Sequence, residues 1–142
     1  MKIGFIRKEK ITSSVVTGIS KSSIKYKKII ISSRNKIVSR NLKNSFKKIS
    51  IEKNNQKIVD ECDWVFLSVT PIVGKKIIKD LKFRYNQTIV SFISTISILE
   101  LKRMIKVKST IVRAIPLPPI SLKIGPVPIC PPNKKVKAFF DK

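Results

Sequence analysis

Continuous runs of β-branched and apolar residues, each separated from the next by an amphipathic stretch of helix length, constrain this chain most. The runs are IIIS at 29–32, WVFLSV at 64–69, TIVSFIS at 88–94 and TIVRAI at 110–115. A strand that is apolar on both faces belongs inside a sheet covered on both sides. KIGFI at 2–6 opens the series and KISI at 48–51 is a weaker member. Between them, Ile11, Val15, Val16 and Ile19 recur at helical spacing up to residue 20, and Ile37, Val38, Leu42 and Phe46 share one face of RNKIVSRNLKNSF. NNQKIVDECD, IVGKKIIKDLKFRY and ILELKRMIK supply three further helices. Strands alternating with helices of this length imply βαβ units, hence an α/β fold with a doubly wound parallel sheet. The runs at 2–6, 29–32, 64–69, 88–94 and 110–115 are expected in one sheet.

The chain has 142 residues, 42% of them hydrophobic, enough to bury one core. A single domain over 1–142 follows, with its core in 1–115. Seven of the eight prolines fall between 116 and 132. Within that segment KIGPVPIC reads as an edge strand that tolerates proline, while PLPP alone has the form of a polyproline ligand. Residues 133–142 begin a helix whose stripe of Val136, Phe139 and Phe140 is expected to have little to pack against. There is no histidine, which excludes imidazole acid–base chemistry and most zinc and iron sites. Cys62 and Cys130 belong to no paired motif and read as buried thiols in a reducing compartment, with no metal implied. No apolar run reaches the length of a membrane span, and MKIGFIRKEK is too short in apolar residues for a signal peptide, so a cytoplasmic protein is expected.

The net charge of +23 raises nucleic-acid binding. Lysines supply most of it, 25 against 6 arginines, and they accompany 25 isoleucines and two alanines. This is the composition of an AT-rich coding sequence, with lysine spread over solvated faces rather than gathered into a patch. Nucleic acid is therefore not the expected partner. The junction GFIRKEKITSSVVTGIS is more informative. Strand-to-helix turns of this kind cradle a dinucleotide pyrophosphate when they are rich in glycine, yet four charged residues occupy this one.

The order GFI…ITSSVVTGI, IISSRN, NNQKIVDECDWVFLSVTP, IVSFIS and IVRAIPLPP…GPVPICPPN resembles pyrroline-5-carboxylate reductase and its divergent relatives over essentially the whole chain. The resemblance implies a Rossmann-like NADP-binding domain that delivers hydride from NADPH to a cyclic imine, giving proline. It also implies a following all-helical dimerisation domain in a homo-oligomer, which this sequence is expected to lack. By the same resemblance Ser32, Ser33, Arg34 and Asn35 meet the adenosine ribose and its 2′-phosphate, for which hydroxyls and a guanidinium are suitable donors. Asn55 lies near the adenosine. Val69, Thr70 and Pro71 stand beside the nicotinamide half. Each has a structural alternative: SSRN as a strand end and helix cap, Asn54 or Asn55 as a cap, Pro71 as a strand terminator. No catalytic residue is implied.

Two departures from the family pattern stand out. Arg7 and Glu9 replace glycines, and Thr12 replaces a small residue. A side chain held in the left-handed region costs about 1–2 kcal/mol, and a glutamate 4 Å from a phosphate charge is repelled by about 4 kcal/mol at an effective dielectric of 20. Arg7, Lys8 and Lys10 offset part of this by phosphate contacts, so the turn reads as a damaged or remodelled cradle with weakened or lost cofactor binding. A fold that keeps the sheet without the cofactor stays open as the alternative. Leu117 and Pro118 stand where the reductases proper carry polar residues, which points to a divergent branch.

Overall fold

The computed structural model describes residues 1–7, 11–33, 36–116, 118–122 and 126–142. The chain alternates as expected: β1 (Lys2–Arg7), α1 (Ile11–Ser20), β2 (Lys28–Ser32), α2 (Lys36–Ser45), β3 (Ile49–Glu52), α3 (Asn55–Glu61), β4 (Trp64–Ser68), α4 (Pro71–Asp80), β5 (Thr88–Ser91), α5 (Ile98–Ile105) and β6 (Thr110–Ala114). A short 3₁₀ helix (Pro118–Leu122), β7 (Ile129–Cys130) and α6 (Lys134–Phe140) complete it. The strands form one sheet in the order β3-β2-β1-β4-β5-β6-β7. All neighbours are parallel except β7, which pairs antiparallel with β6.

Alternation along each strand divides the core into two layers. Ile3, Phe5, Ile29, Ile31, Trp64, Phe66, Val90 and Val112 face α1, α2 and α6. Ile6, Ile30, Val65, Leu67, Ile89 and Ile111 face α3, α4 and α5. A strand needed on both faces has no room for polar residues, which is why the runs are continuously apolar. Phe66 is the hub of the first layer: its ring stacks on Phe5 with centroids 4.7 Å apart and lies 5.7 Å from Phe139 and 5.4 Å from Phe92.

The structure corrects four expectations. The stripe on α6 does have a surface to cover: Val136 and Phe139 are buried and Phe139 stacks on Trp64 at 4.6 Å, a type of contact worth about 0.5–1.5 kcal/mol beyond the area it buries. Cys130 is exposed on β7, because an edge strand has no neighbour outside it. α4 stops at Asp80 rather than running through the phenylalanine and tyrosine beyond it. There the backbone of Lys82 is held by Gln56, which donates from Nε2 to the Lys82 carbonyl at 2.9 Å and accepts the Lys82 N–H at 2.9 Å. β5 likewise ends at Ser91, where the Ser91 hydroxyl accepts the Ile93 N–H and turns the chain. Of PLPP, Leu117 lies outside the described residues. Pro118 opens the 3₁₀ helix, which packs on α1 so closely that a Cβ on Gly18 would lie 2.7 Å from the Ile120 carbonyl oxygen.

α3 is fixed at both ends. Asn54 caps its start, accepting the N–H groups of Gln56 and Lys57. At its end Gln87 Nε2 donates to the Val59 and Cys62 carbonyls, each at 2.7 Å, and Arg84 Nη2 donates to Cys62 at 2.6 Å. These bonds satisfy carbonyls that a helix terminus leaves open. The helix lies so close to β1 that a Cβ on Gly4 would sit 2.5 Å from Ile58 Cγ2 and 2.8 Å from Cys62 Sγ. Gly4→Ala must push α3 away or force Ile58 from its rotamer, and it is expected to cost about 1–3 kcal/mol, seen as a lower midpoint in urea unfolding. An unchanged midpoint would show that the helix moves freely on the sheet.

Cys62 is fully buried, and burial, reinforced by the neighbouring carboxylates of Glu61 and Asp63, pushes its thiol up to about 12. Thiolate is the reactive form, so at neutral pH an aromatic disulfide reagent should modify Cys130 in the folded protein and leave Cys62 intact. Two thiols per chain should react only after denaturation.

Candidate functional site

In an open parallel sheet, loops and helix starts gather at the carboxyl ends of the strands, and a crevice opens where the strand order reverses. Here the reversal falls at β1, which has β2 on one side and β4 on the other. The register puts Arg7, the last residue of β1, opposite Ser68, the last of β4, and Leu67 opposite Ser91, the last of β5. Three strand ends are thus aligned on one rim. α1 starts there on one face and α4 on the other, and neither has an acidic residue in its first turn, while Glu9 precedes α1 by two positions in the sequence.

Arg7 belongs to this rim as a strand residue. The expectation of left-handed strain at Arg7 is therefore overturned: β1 extends through it in register with β4, and the non-glycine residues with positive φ among those described are Asn86 and Lys106. Lys8, Glu9 and Lys10 lie outside the described residues.

Ser32 ends β2 and is buried, its carbonyl accepting the Ser39 hydroxyl at 3.3 Å. Ser33 follows it and is partly exposed, and Arg34 and Asn35 lie outside the described residues. Ser33 lines a groove with Lys36, Arg40 and Lys43 of α2 and Lys53 at the end of β3. Sequence reasoning singled out none of these four cations. Their signal was the i, i+4, i+7 spacing on α2, hidden in a chain where lysine is everywhere. Asn55 is the first residue of α3, beyond the carboxyl end of β3. Since Asn54 is the cap, capping does not explain Asn55. Thr70 is the N-cap residue of α4 without making a side-chain cap bond, and Pro71 sits at the helix start, where a missing N–H costs nothing. Val69 points inward to the core layer under α4, with its Cγ2 3.2 Å from where a Gly74 Cβ would be. Any ligand contact at Val69 is therefore through its backbone.

Two rim hydroxyls have no partner among the described residues. Thr12 and Ser68 are 0% and 1% exposed, and neither Oγ atom makes a hydrogen bond. Buried hydroxyls are nearly always paired, so these two are exceptions among the described residues. Ser68 shares the strand face of Trp64 and Phe66, the face that α1 covers, and Thr12 is in the first turn of α1. Arg113 is a further polar group at the carboxyl end, on β6. Its Nη2 donates to the Ser94 carbonyl in the loop after β5, and its Nε is buried without a partner. An arginine inside the apolar run TIVRAI was the available sequence signal. The helix starts at this rim and the cationic groove beside Ser33 make a donor set suited to a ligand carrying phosphates and hydroxyls. A second cleft, lined by Val15, Gly18, Ile19, Ile120, Phe139 and Phe140 with Ser22, Asp141 and Lys142 among its polar members, runs along the C-terminal half of α1. Among the described residues no cluster of His, Cys, Asp or Glu could hold a metal ion, and no helix is long and apolar enough to cross a membrane.

Comparison with known proteins agrees with this fold. The fold matches pyrroline-5-carboxylate reductase from Streptococcus pyogenes (TM-score 0.77, 21% identity, 99% of this chain and 55% of that one). It also matches the Plasmodium falciparum pyrroline carboxylate reductase solved with NADP bound (TM-score 0.82, 20% identity, 99% and 54%). Prephenate dehydrogenase from A. aeolicus, solved with NAD+ and hydroxyphenyl propionate, is similar at TM-score 0.73 and 17% identity, over 99% and 56%. The chain therefore spans about half the length of these structures and has the Rossmann-like fold of their matching part. No curated protein sequence matches it significantly. Residues 2–96, well over half of the chain, match the family described as NADP oxidoreductase coenzyme F420-dependent. This chain is a member of that oxidoreductase family.

Proposed function

We propose that the rim at β1 and β4 binds NADP(H), and that the chain is the cofactor-binding part of an oxidoreductase of the pyrroline-5-carboxylate reductase type. The observation that carries the reading is the cationic groove of Ser33, Lys36, Arg40, Lys43 and Lys53 at the end of β2, beside the strand whose end meets the adenosine ribose in sheets of this order. A 2′-phosphate is a dianion on that ribose, and cations with a hydroxyl suit it where a carboxylate would exclude it.

In this reading Ser32, Ser33, Arg34 and Asn35 hold the phosphorylated ribose and Asn55 lies by the adenosine. The backbone of Val69 with Thr70 and Pro71 orients the nicotinamide half at the start of α4. The bound cofactor supplies hydride, and the chain's own residues position it and exclude water. The proposed acceptor is a cyclic imine, reduced to proline or a relative of it. The family membership and the likeness to the two pyrroline carboxylate reductases support this choice.

Titration with NADPH and NADH tests the cofactor. NADPH should bind more tightly, and Arg34→Ala should weaken it by about ten-fold or more while leaving NADH nearly unchanged, since a charge-assisted bond is worth about 1.5–3 kcal/mol. Equal losses for both would remove Arg34 from the 2′-phosphate. Failure of either dinucleotide to bind would overturn the proposal.

A further inference from the structure

We propose that the edge of the sheet where β1, β2 and β3 begin, opposite the cofactor rim, binds the phosphate backbone of a nucleic-acid duplex. Lysine is evenly spread along the chain, but the sheet gathers it in space. Lys2 and Lys28, the first residues of β1 and β2, are register partners. Lys27 donates its backbone N–H to the Met1 carbonyl at 2.8 Å, and the Lys48 carbonyl accepts the Ile29 N–H at 2.9 Å just before β3 begins. Neighbouring strands lie about 4.8 Å apart, so these bonds set three lysine-bearing segments side by side. Lys25 and Lys47, both exposed, stand in the turns that enter β2 and β3.

Like charges opposite one another on adjacent strands destabilise a sheet, and little here relieves them. No acid occurs in 21–28 or 46–51. The acids beside β1 at this edge are Glu61, which ends α3, and Asp63, which accepts the Lys2 backbone N–H at 2.8 Å. Neither forms an ion pair with a lysine; the ion pair among the described residues is that of Lys137 with Asp141. Lys48 is held in place, its Nζ donating to the Tyr26 carbonyl at 3.3 Å and lying 5.2 Å from the centre of the Tyr26 ring. The apolar residues between these lysines, Ile24, Tyr26 and Phe46, pack against the core layer under α1 and α2. The surface therefore presents cations without apolar anchors. Membrane surfaces are gripped by both together, and single strands by exposed aromatic platforms. A duplex, with one phosphate charge per about 1.7 Å of axis, is the partner this edge fits.

Fluorescence anisotropy with short duplexes of arbitrary sequence, over a range of salt, tests the proposal, with DNA and RNA in parallel to identify the preferred backbone. Lys25→Gln with Lys27→Gln and Lys47→Gln removes three exposed cations from the edge. Lys75→Gln with Lys76→Gln and Lys79→Gln removes three exposed cations from α4 and leaves the same net charge. The edge variant should bind about ten-fold or more weakly, with a salt slope smaller by about 0.9 for each lysine. The α4 variant should bind like the natural chain, and saturating NADPH should not displace the duplex. The single variants Lys25→Gln and Lys47→Gln, each losing one such step of slope, keep the test open if the triple edge variant does not fold.

Equal losses in the two triple variants would make binding a property of net charge alone and overturn the proposal. So would displacement by NADPH, tighter binding of a single strand or of anionic phospholipid vesicles than of a duplex, or no binding by the natural chain.

Discussion

The pairing of β1 with β4 is the constraint on which the rest of this structure depends. It joins strands that are far apart in sequence in parallel, with Ile3 opposite Trp64 and Arg7 opposite Ser68. It thereby forces the chain to wind outward through β2 and β3 and then return to the other side of β1. That return places α1 and α2 on one face and α3 on the other, and it leaves a rim where helices start on both sides. The pairing tolerates no spacing error, because α3 crosses β1 at Gly4 with no room for a Cβ.

The two faces of β4 carry different duties. Val65 and Leu67 fill the layer under α3, α4 and α5, while Trp64 and Phe66 gather Phe5, Phe92, Phe139 and Phe140 on the other face. The next position on that second face is Ser68, so the aromatic stack ends at a buried hydroxyl on the rim. α6 is bound into the same stack by Phe139, and the 3₁₀ helix locks against α1 at Gly18. The 3₁₀ helix and the last helix therefore brace α1.

Strand identity and sheet class were legible because burial on both faces leaves a run such as WVFLSV no polar position until its end. The terminal elements were less so. The stripe on α6 finds Trp64 and Phe66 across the whole chain, a contact that local periodicity cannot anticipate. The end of α4 is decided by Gln56 on α3, again a distant partner. At the site, the described residues drawn from family resemblance fall at carboxyl strand ends: Ser32 at the end of β2 and Ser33 after it, Asn55 after β3, Thr70 and Pro71 after β4. Sequence alone did not show that Val69 turns inward, that Arg7 is an unstrained strand residue, or that Thr12 and Ser68 lack partners. Each of these depends on which face of an element meets which neighbour. The groove of Lys36, Arg40, Lys43 and Lys53 was concealed by composition, since a functional lysine looks like any other in a chain with a formal charge of +23.

The central claim is that the carboxyl rim around β1 and β4 is the dinucleotide site. Backbone amide hydrogen exchange with and without saturating NADPH tests it most directly, because bound ligand slows exchange where it restricts local opening. The account predicts added protection in the first turns of α1 and α4, at Ser32 and Ser33, and at Ser68 to Thr70, with none along the apolar cleft beside Ile24 and Phe140. Protection confined to that cleft, or spread evenly over the chain, would contradict it.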